Sequence, residues 1–351
     1  MASYSDHATT PDDPYQLSAT PGGGSAAGPA AAGLASAKGG AKARPRIVLM
    51  GNARSGKTSI QKVVFNKMSP HETLFLEPTR EPETSIISNS HFCRLEICDF
   101  PSTLDDTGDA LDGVFDGCSA LVFVVDAQDA PHSDALARLQ RTARVAYDAN
   151  PGINIEVFIH KVDGLSDDLK GETQREIHAE VSDELLDAGM EDCHVSFHLT
   201  SIYDHSVFEA FSKVVQKMMP EEVSLLENLL DSLLASCRIE KAFLFDVVSK
   251  IYVATDSSPV DMQSYELCSD MIDVVIDVSC IYGMTESSDA LAYDAKSFSA
   301  IKLSNGMVLC LREVNHYLAL VCLVREENFA VEICEFNFAV LRAALDARVA
   351  E

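Results

Sequence analysis

The chain has 351 residues, of which 47% are hydrophobic, and it carries a formal net charge of -27 at pH 7. This length and apolar content suffice for two ordinary domains with buried cores. A surface this acidic repels nucleic acid and anionic lipid, so we expect neither as a direct partner. The sequence lacks an apolar run long enough to span a bilayer, so we expect no direct membrane insertion. The ten cysteines have scattered spacings, which is typical of reduced thiols in a cytoplasmic protein.

Residues 1–44 are rich in Ala, Gly, Ser and Pro, and Leu17 and Leu34 are their only aliphatic residues larger than alanine. Such a segment buries too little apolar surface to offset the entropy that ordering would cost. The composition therefore predicts a disordered tail over residues 1–44.

A phosphate-binding loop is predicted at residues 47–59, where a short apolar run meets Gly51 and, after four intervening residues, Gly56-Lys57-Thr58 follows. The glycines allow successive backbone N–H groups to turn inward around a phosphate at a helix N-terminus. Lys57 is expected to reach the β- and γ-phosphates, and the Thr58 hydroxyl to ligate Mg²⁺. The predicted nucleotide contacts of this loop are Arg54, Ser55, Gly56, Lys57, Thr58 and Ser59.

After a helix over 58–68, the polar stretch 69–90 contains three prolines and is predicted to be a long loop. In a nucleotide switch, a threonine of such a loop closes over Mg²⁺ and the γ-phosphate. Thr73, Thr79 and Thr84 are all candidates, and a merely variable surface loop is the alternative.

A strand is predicted over 91–100. Asp99, near its end, is placed to hold Mg²⁺ through a water molecule, as the aspartate of a D-x-x-G switch does. Ser102 stands at the glycine position of that motif. Thr103 stands where a GTPase usually keeps the glutamine that orients the attacking water, and its side chain is too short for that role. We therefore expect nucleotide binding to survive and fast hydrolysis to be lost.

The motif His160-Lys161-Val162-Asp163 follows a strand over 120–126, a helix over 133–147 and a strand over 153–159. In an N-K-x-D loop the aspartate accepts two hydrogen bonds from guanine, a pattern that adenine does not offer, and the lysine stem packs on the ring. Asp163 is therefore predicted to select guanine. His160 takes the usual asparagine position and is expected to brace the loop.

A helix over 172–186, a strand over 195–199 and a helix from Ser206 complete the first half. The backbone N–H groups of Ser201 and Ile202 are expected to contact guanine O6. Alternating strands and helices predict an α/β fold, a doubly wound and mainly parallel sheet with helices on both faces.

From residue 220 the pattern changes to helix, two strands, helix, three strands and helix. Because this half shows no catalytic grouping of His, Ser or Cys, it is interpreted as an interaction domain. We predict a nucleotide-binding domain over 45–220 and an α+β dimerisation domain over 221–351, with an interface at the sheet edges or on the helix bearing Val274, Val275 and Val278.

From about residue 45 to its last helix, the chain resembles a Rag GTPase of the C/D type. The resemblance rests on the phosphate loop and on the segments 60–65, 158–166, 200–205 and 256–267. It implies GTP and GDP with Mg²⁺ as ligands, a roadblock-type second domain and pairing with an A/B-type Rag subunit. It also implies docking on a roadblock-containing scaffold at the lysosome or vacuole surface, where the dimer recruits the target-of-rapamycin kinase complex in response to amino acids.

The second switch departs from that family pattern, since Ser102-Thr103 replaces Gly-Gln and the acidic residues Asp105, Asp106, Asp109 and Asp112 follow. Three hypotheses result: a slow GTPase switch, a nucleotide-holding scaffold subunit that does not hydrolyse GTP, and an ATPase or small-molecule kinase, against which Asp163 argues.

Overall fold

The computed structural model describes residues 44–88, 94–103, 111, 113–190, 193–282, 298–315 and 317–349. Apart from Arg44, the predicted disordered tail lies outside these residues. So do the four acidic residues that follow Thr103. None of the helices in the described ranges is both long enough and apolar enough to cross a membrane.

The first half forms a six-stranded sheet with the strand order β2-β3-β1-β4-β5-β6. Strand β2 is antiparallel to β3, and every other neighbouring pair is parallel. All parallel strands therefore end at the same edge, where ligand loops are expected. The strands are β1 (Arg46–Gly51), β2 (Glu83–Ser88), β3 (Arg94–Asp99), β4 (Cys118–Asp126), β5 (Asn154–His160) and β6 (Val195–Thr200).

Helices cover both faces of this sheet because its central strands are apolar on both sides. Helices α2 (Ser133–Ala149) and α3 (Asp167–Asp187) pack on one face, against a cluster that includes Val48. Helices α1 (Lys57–Asn66) and α4 (Ser206–Met218) pack on the other face, against a cluster that includes Ile47.

The prediction of a loop throughout 69–90 is wrong in two places. Residues 72–75 form a short 3-10 helix, and residues 83–88 form the edge strand β2. An edge strand lies at the margin of the sheet, so it tolerates a polar sequence that would not suit the centre. Ile87 packs against the core, whereas Ile86 is 60% exposed.

The second half forms a five-stranded antiparallel sheet with the order β8-β7-β11-β10-β9. Helices α5 and α7 pack on one face and α6 on the other. The elements are α5 (Pro220–Cys237), β7 (Ile239–Asp246), β8 (Tyr252–Thr255), α6 (Met262–Tyr282), β9 (Phe298–Lys302), β10 (Met307–Asn315), β11 (Leu318–Arg325) and α7 (Val331–Val349).

These two sheets confirm the predicted fold class, an α/β nucleotide-binding fold followed by an α+β unit of roadblock type. The domain boundary at residue 220 stays a prediction. Helix α3 begins at Asp167 rather than at the predicted residue 172. Acidic residues in the first turn, Asp167 and Asp168, favour this earlier start through the helix dipole.

The two halves contact each other through α4. The buried Ser212 hydroxyl accepts a hydrogen bond from the Tyr252 N–H at 3.0 Å. Ile251, from the turn between β7 and β8, is fully buried in the cluster beneath α1 and α4. His205, at the start of α4, lies 3.2 Å from Asp270 of α6. The second sheet thus completes part of the first core.

Candidate nucleotide-binding site

The loop between β1 and α1 has the backbone shape that its two glycines permit. Gly51 has a φ of 141°, and a β-carbon there would lie 2.3 Å from the Val124 carbonyl oxygen. Gly56 has a φ of 104°, and its β-carbon would lie 2.6 Å from the imidazole Cδ2 of His160. Residues with a β-carbon fit neither position. These glycines therefore hold the loop against β4 and the end of β5.

Lys57 lies at the centre of this loop and is largely buried. Its Nζ donates to the carbonyl oxygens of Gly51 and Asn52, each at 2.9 Å. Burial lowers the pKa of Lys57 to about 8, an effect that the charge of Asp99 opposes and that of Arg138 reinforces. The amine stays mostly protonated at pH 7, so it offers a positive charge to a phosphate.

Thr58, Thr79 and Asp99 meet beside the lysine. The Thr58 hydroxyl donates to Asp99 Oδ2 at 2.5 Å and lies 2.8 Å from the Thr79 hydroxyl, which donates to the same carboxylate oxygen at 3.2 Å. Burial raises the pKa of Asp99, although the hydrogen bond from Thr58 and the charge of Lys57 oppose that rise. The second oxygen, Oδ1, is buried without a hydrogen-bond partner among the described residues.

This cluster fits Mg²⁺, because the ion prefers hard oxygen ligands and few protein groups, with water and phosphate completing its shell. The described part of the chain contains no group of three or more His, Cys, Asp or Glu side chains arranged for a metal ion. A magnesium ion at this position would therefore depend on the bound phosphates for its remaining ligands.

Of the three candidate threonines, the structure brings only Thr79 to this cluster. The Thr73 hydroxyl instead donates to the Pro70 carbonyl at 2.7 Å, in the short 3-10 helix. Thr84 lies in β2, with its hydroxyl 3.5 Å from Cys98 Sγ. The sequence alone does not show which of these threonines reaches Asp99. That depends on where strand β2 begins, and the sequence did not predict this strand.

The base end of the site is built around Lys161 and Asp163. Lys161 has a φ of 65°, and its Nζ donates to the Arg54 carbonyl at 2.7 Å and to Asp126 at 2.5 Å. Asp163 is exposed and accepts a hydrogen bond from the buried Ser201 hydroxyl at 2.7 Å. This hydrogen bond orients the exposed carboxylate.

The Ser201 N–H, which the sequence predicts to face guanine, has a hydrogen-bond partner within the chain. The Ser201 N–H donates to the Ser206 hydroxyl at 2.8 Å. Ile202, the other predicted contact in this loop, is buried. Its N–H is therefore left as the predicted contact to guanine O6.

His160 joins the base end to the phosphate end. The buried ring lies against Gly56, and its Nδ1 is 3.0 Å from the Thr200 hydroxyl. Burial and the adjacent Lys161 charge lower the pKa of His160 to about 4, so the ring is neutral at physiological pH. A neutral imidazole in this position braces the two loops without adding charge.

Arg138 lies beside this site and was not among the residues that the sequence singled out. Its Nη1 donates to the Ser102 carbonyl at 2.8 Å and approaches the Gly51 carbonyl at 3.4 Å. The one feature of the sequence that could have pointed to Arg138 is its charge, since it lies between two buried positions of α2, Leu136 and Leu139. Thr103, in contrast, is exposed.

The remaining predicted contacts lie on or beside the phosphate loop. Ser55 is buried and its hydroxyl has no partner among the described residues, Ser59 is half-buried in the first turn of α1, and Arg54 is exposed with a φ of 62°. All of these residues lie at the edge where the parallel strands end.

Sequence comparison places this site in a known family. The conserved region of the Gtr1/RagA G proteins matches residues 46–272, well over half of the chain. The chain belongs to the Gtr1/RagA family of G proteins. The matched region of this Gtr1/RagA-family chain includes the loop between β1 and α1, residues 69–103 and the loop that carries Lys161 and Asp163.

Three relatives show which branch of the family it resembles. It is 59% identical over 305 residues to Ras-related GTP-binding protein C of Homo sapiens, covering 86% of this chain and 76% of that protein. It is 58% identical over 305 residues to Ras-related GTP-binding protein D of Mus musculus, covering 86% and 68%. It is 52% identical over 314 residues to GTP-binding protein gtr2 of Schizosaccharomyces pombe, covering 87% and 98%. These identities confirm the predicted C/D-type resemblance.

Proposed function

We propose that this chain is the guanine-nucleotide-binding subunit of a Rag-type heterodimer. The observation that carries the proposal is the meeting of Lys57, Thr58, Thr79 and Asp99 at one end of a single site whose other end is Asp163. His160 and Gly56 hold the two ends together. The relatives named as GTP-binding proteins support this assignment.

At the phosphate end, Lys57 binds the β- and γ-phosphates, and the N–H groups of the loop surround them. Thr58 and Thr79 would ligate Mg²⁺ directly, and Asp99 would hold it through a water molecule. The ion, when bound, neutralises charge on the phosphate oxygens. At the base end, Asp163 accepts two hydrogen bonds from guanine, and the stem of Lys161 packs on the ring.

Exchanging the base tests this proposal directly. The variant Asp163→Asn replaces an acceptor by an amide that also donates, so we expect it to weaken GTP binding by about 10- to 100-fold and to favour xanthosine triphosphate, which has a carbonyl in place of the exocyclic amine. The matched control is Asp167→Asn, whose carboxylate is 98% exposed. Equilibrium binding of GTP, XTP and ATP to the purified heterodimer measures the effect.

Unchanged purine preference in Asp163→Asn would contradict the assignment of the base site. ATP binding as tight as GTP binding to the unaltered protein would instead support the ATPase or small-molecule kinase hypothesis.

Hydrolysis by this site is proposed to be slow. Thr103 stands at the position of the water-orienting glutamine and has no amide to offer. The side chain of Ser102 also restricts the backbone at the position where glycine usually meets the γ-phosphate. Single-turnover hydrolysis by the heterodimer, with and without activating partners, measures the rate.

The altered second switch also favours a second candidate, a scaffold subunit that holds nucleotide without turnover. Restoring Gly and Gln at positions 102 and 103 separates the two. Faster hydrolysis with unchanged partner binding supports the scaffold. Loss of kinase recruitment in that variant supports a switch whose nucleotide state is the signal.

The partner surface is proposed to lie on α6 and the edge strand β9. Val274, Val278 and Ile281 on α6 are 47%, 50% and 70% exposed, although apolar side chains of this size are usually covered. An A/B-type Rag subunit is the proposed occupant. The heterodimer then docks on a roadblock-containing scaffold at the lysosome or vacuole and relays amino-acid sufficiency to the target-of-rapamycin kinase complex, as the family resemblance implies.

A further inference from the structure

Arg138 connects the phosphate loop to the second switch from an element that belongs to neither. Its guanidinium Nη1 lies 2.8 Å from the Ser102 carbonyl and 3.4 Å from the Gly51 carbonyl. The helix that carries it is fixed to the sheet by Leu136 and Leu139, which are 0% and 1% exposed. The guanidinium is therefore presented from a rigid support.

The same corner of the site holds a second cation. Lys57 Nζ donates to the Gly51 carbonyl at 2.9 Å, so this oxygen faces both Lys57 and Arg138. Their positive charges approach each other where the phosphate loop meets the second switch. Asp99 already offsets part of the repulsion on Lys57, and an anion bound in this corner offsets more of it. A triphosphate brings more negative charge to this corner than a diphosphate does.

The contact with Ser102 also orients the backbone of the switch. A peptide unit is planar, so the Ser102 carbonyl and the Thr103 N–H point in opposite directions. Holding the carbonyl toward α2 fixes this peptide and thereby restricts the backbone of Ser102, whose own N–H stands at the γ-phosphate position of the motif. A switch peptide held in one orientation before the ligand arrives costs less entropy to order on binding.

We propose that Arg138 is a positioning residue that prepares the second switch for the terminal phosphate and so biases the site toward the triphosphate over the diphosphate. This inference rests on the proposed function, because it takes a guanosine di- or triphosphate as the ligand. Arg138 acts through the Ser102 backbone, and it compensates in part for the glycine that Ser102 replaces.

The test compares affinities for GDP and for a non-hydrolysable GTP analogue in the purified heterodimer. We expect Arg138→Ala and Arg138→Gln to reduce the preference for the triphosphate by about tenfold while GDP affinity stays within about twofold. Arg138→Lys, which keeps the charge, recovers part of the preference. The matched control is Arg144→Ala, an exposed arginine of the same helix, which leaves both affinities unchanged.

An equal loss of affinity for both nucleotides in the Arg138 variants would indicate a merely structural role and overturn the inference. An unchanged ratio of the GTP-analogue affinity to the GDP affinity would also overturn it. Arg138→Gln keeps most of the side-chain length, so it carries the same test if Arg138→Ala does not fold. If the unaltered heterodimer binds neither nucleotide, the proposed function fails instead.

Discussion

Gly56 is the residue at which the phosphate loop touches the base loop. Its φ of 104° disfavours any side chain, and a β-carbon would lie 2.6 Å from the His160 ring. We expect Gly56→Ala to lower the free energy of unfolding by at least about 2 kcal/mol and to abolish nucleotide binding. Urea denaturation and nucleotide titration measure the two effects.

Gly171 provides the control for that substitution. It lies inside α3, and apart from its chain neighbours and the backbone of its own helix no heavy atom lies within 4 Å of the position a β-carbon would take. Gly171→Ala should therefore stabilise the protein by about 0.5–1 kcal/mol, since alanine favours helix more than glycine does. Equal effects of the two substitutions would contradict the packing of Gly56 on His160.

His160 makes stability depend on pH. Burial lowers its folded pKa from 6.5 to about 4, so the unfolded chain binds a proton that the folded chain excludes. The contribution of His160 to the free energy of unfolding is therefore retained above pH 6.5 and is lost as the pH decreases toward 4. Between pH 7 and 5 this residue should remove about 2 kcal/mol from the free energy of unfolding.

The variant His160→Asn isolates that contribution. Between pH 7 and 5 the free energy of unfolding should decrease in both proteins. The decrease should be about 2 kcal/mol smaller in the variant than in the parent, because asparagine does not titrate. Denaturant unfolding at both pH values measures the difference. Identical pH dependence in parent and variant would mean that His160 stays solvated in the folded protein.

Sequence reasoning located residues whose roles depend on local spacing. The phosphate loop and the base loop are short motifs at the ends of apolar strands, and the structure brings both to one edge of the sheet. The local sequence did not show which of Thr73, Thr79 and Thr84 lies beside Asp99, and it did not point to Arg138. Both depend on contacts between segments more than 20 residues apart, which no local pattern encodes.

At the scale of elements, helix α4 joins the two sheets. Ser212 and Tyr252 are both buried, and the Ser212 hydroxyl is the acceptor for the Tyr252 N–H. Ser212→Ala leaves that N–H unpaired and should cost about 1–3 kcal/mol of unfolding free energy. Ser232→Ala, which removes an exposed hydroxyl of α5, should change it by less than about 0.5 kcal/mol.

Urea denaturation gives both values, and hydrogen exchange at Tyr252 shows whether the contact opens locally. Protection of the Tyr252 amide that is unchanged in Ser212→Ala would contradict the hydrogen bond.

Elements with strong apolar periodicity were predicted well, because burial on one or both faces produces the pattern directly. Strands β4 and β5 and helix α2 lie within a few residues of their predicted ranges. Strand β2 was missed because its backbone pairing with β3, rather than its side chains, determines its conformation. The polar sequence of an edge strand carries little signal of that pairing.

At the scale of the whole molecule, the exposed stripe of α6 makes pairing testable. Val278→Asp places a charge in the proposed apolar interface and should weaken the heterodimer by at least about 30-fold. Leu186→Asp is the control, because Leu186 is 62% exposed on α3 of the other half. Co-purification and analytical ultracentrifugation with an A/B-type subunit measure the effect, and equal loss in both variants would place the interface elsewhere.

The insertion of Ile251 beneath the first sheet affects how shortened versions of this protein should be made. A fragment that stops near residue 220 loses that side chain and leaves a hole lined by aliphatic and aromatic groups, and it also uncovers Phe208. Nucleotide affinities measured on such a fragment would be those of a domain destabilised by a cavity in its core. Biochemists who want the nucleotide-binding half by itself should retain the strand pair through Thr255 or fill the hole by redesign.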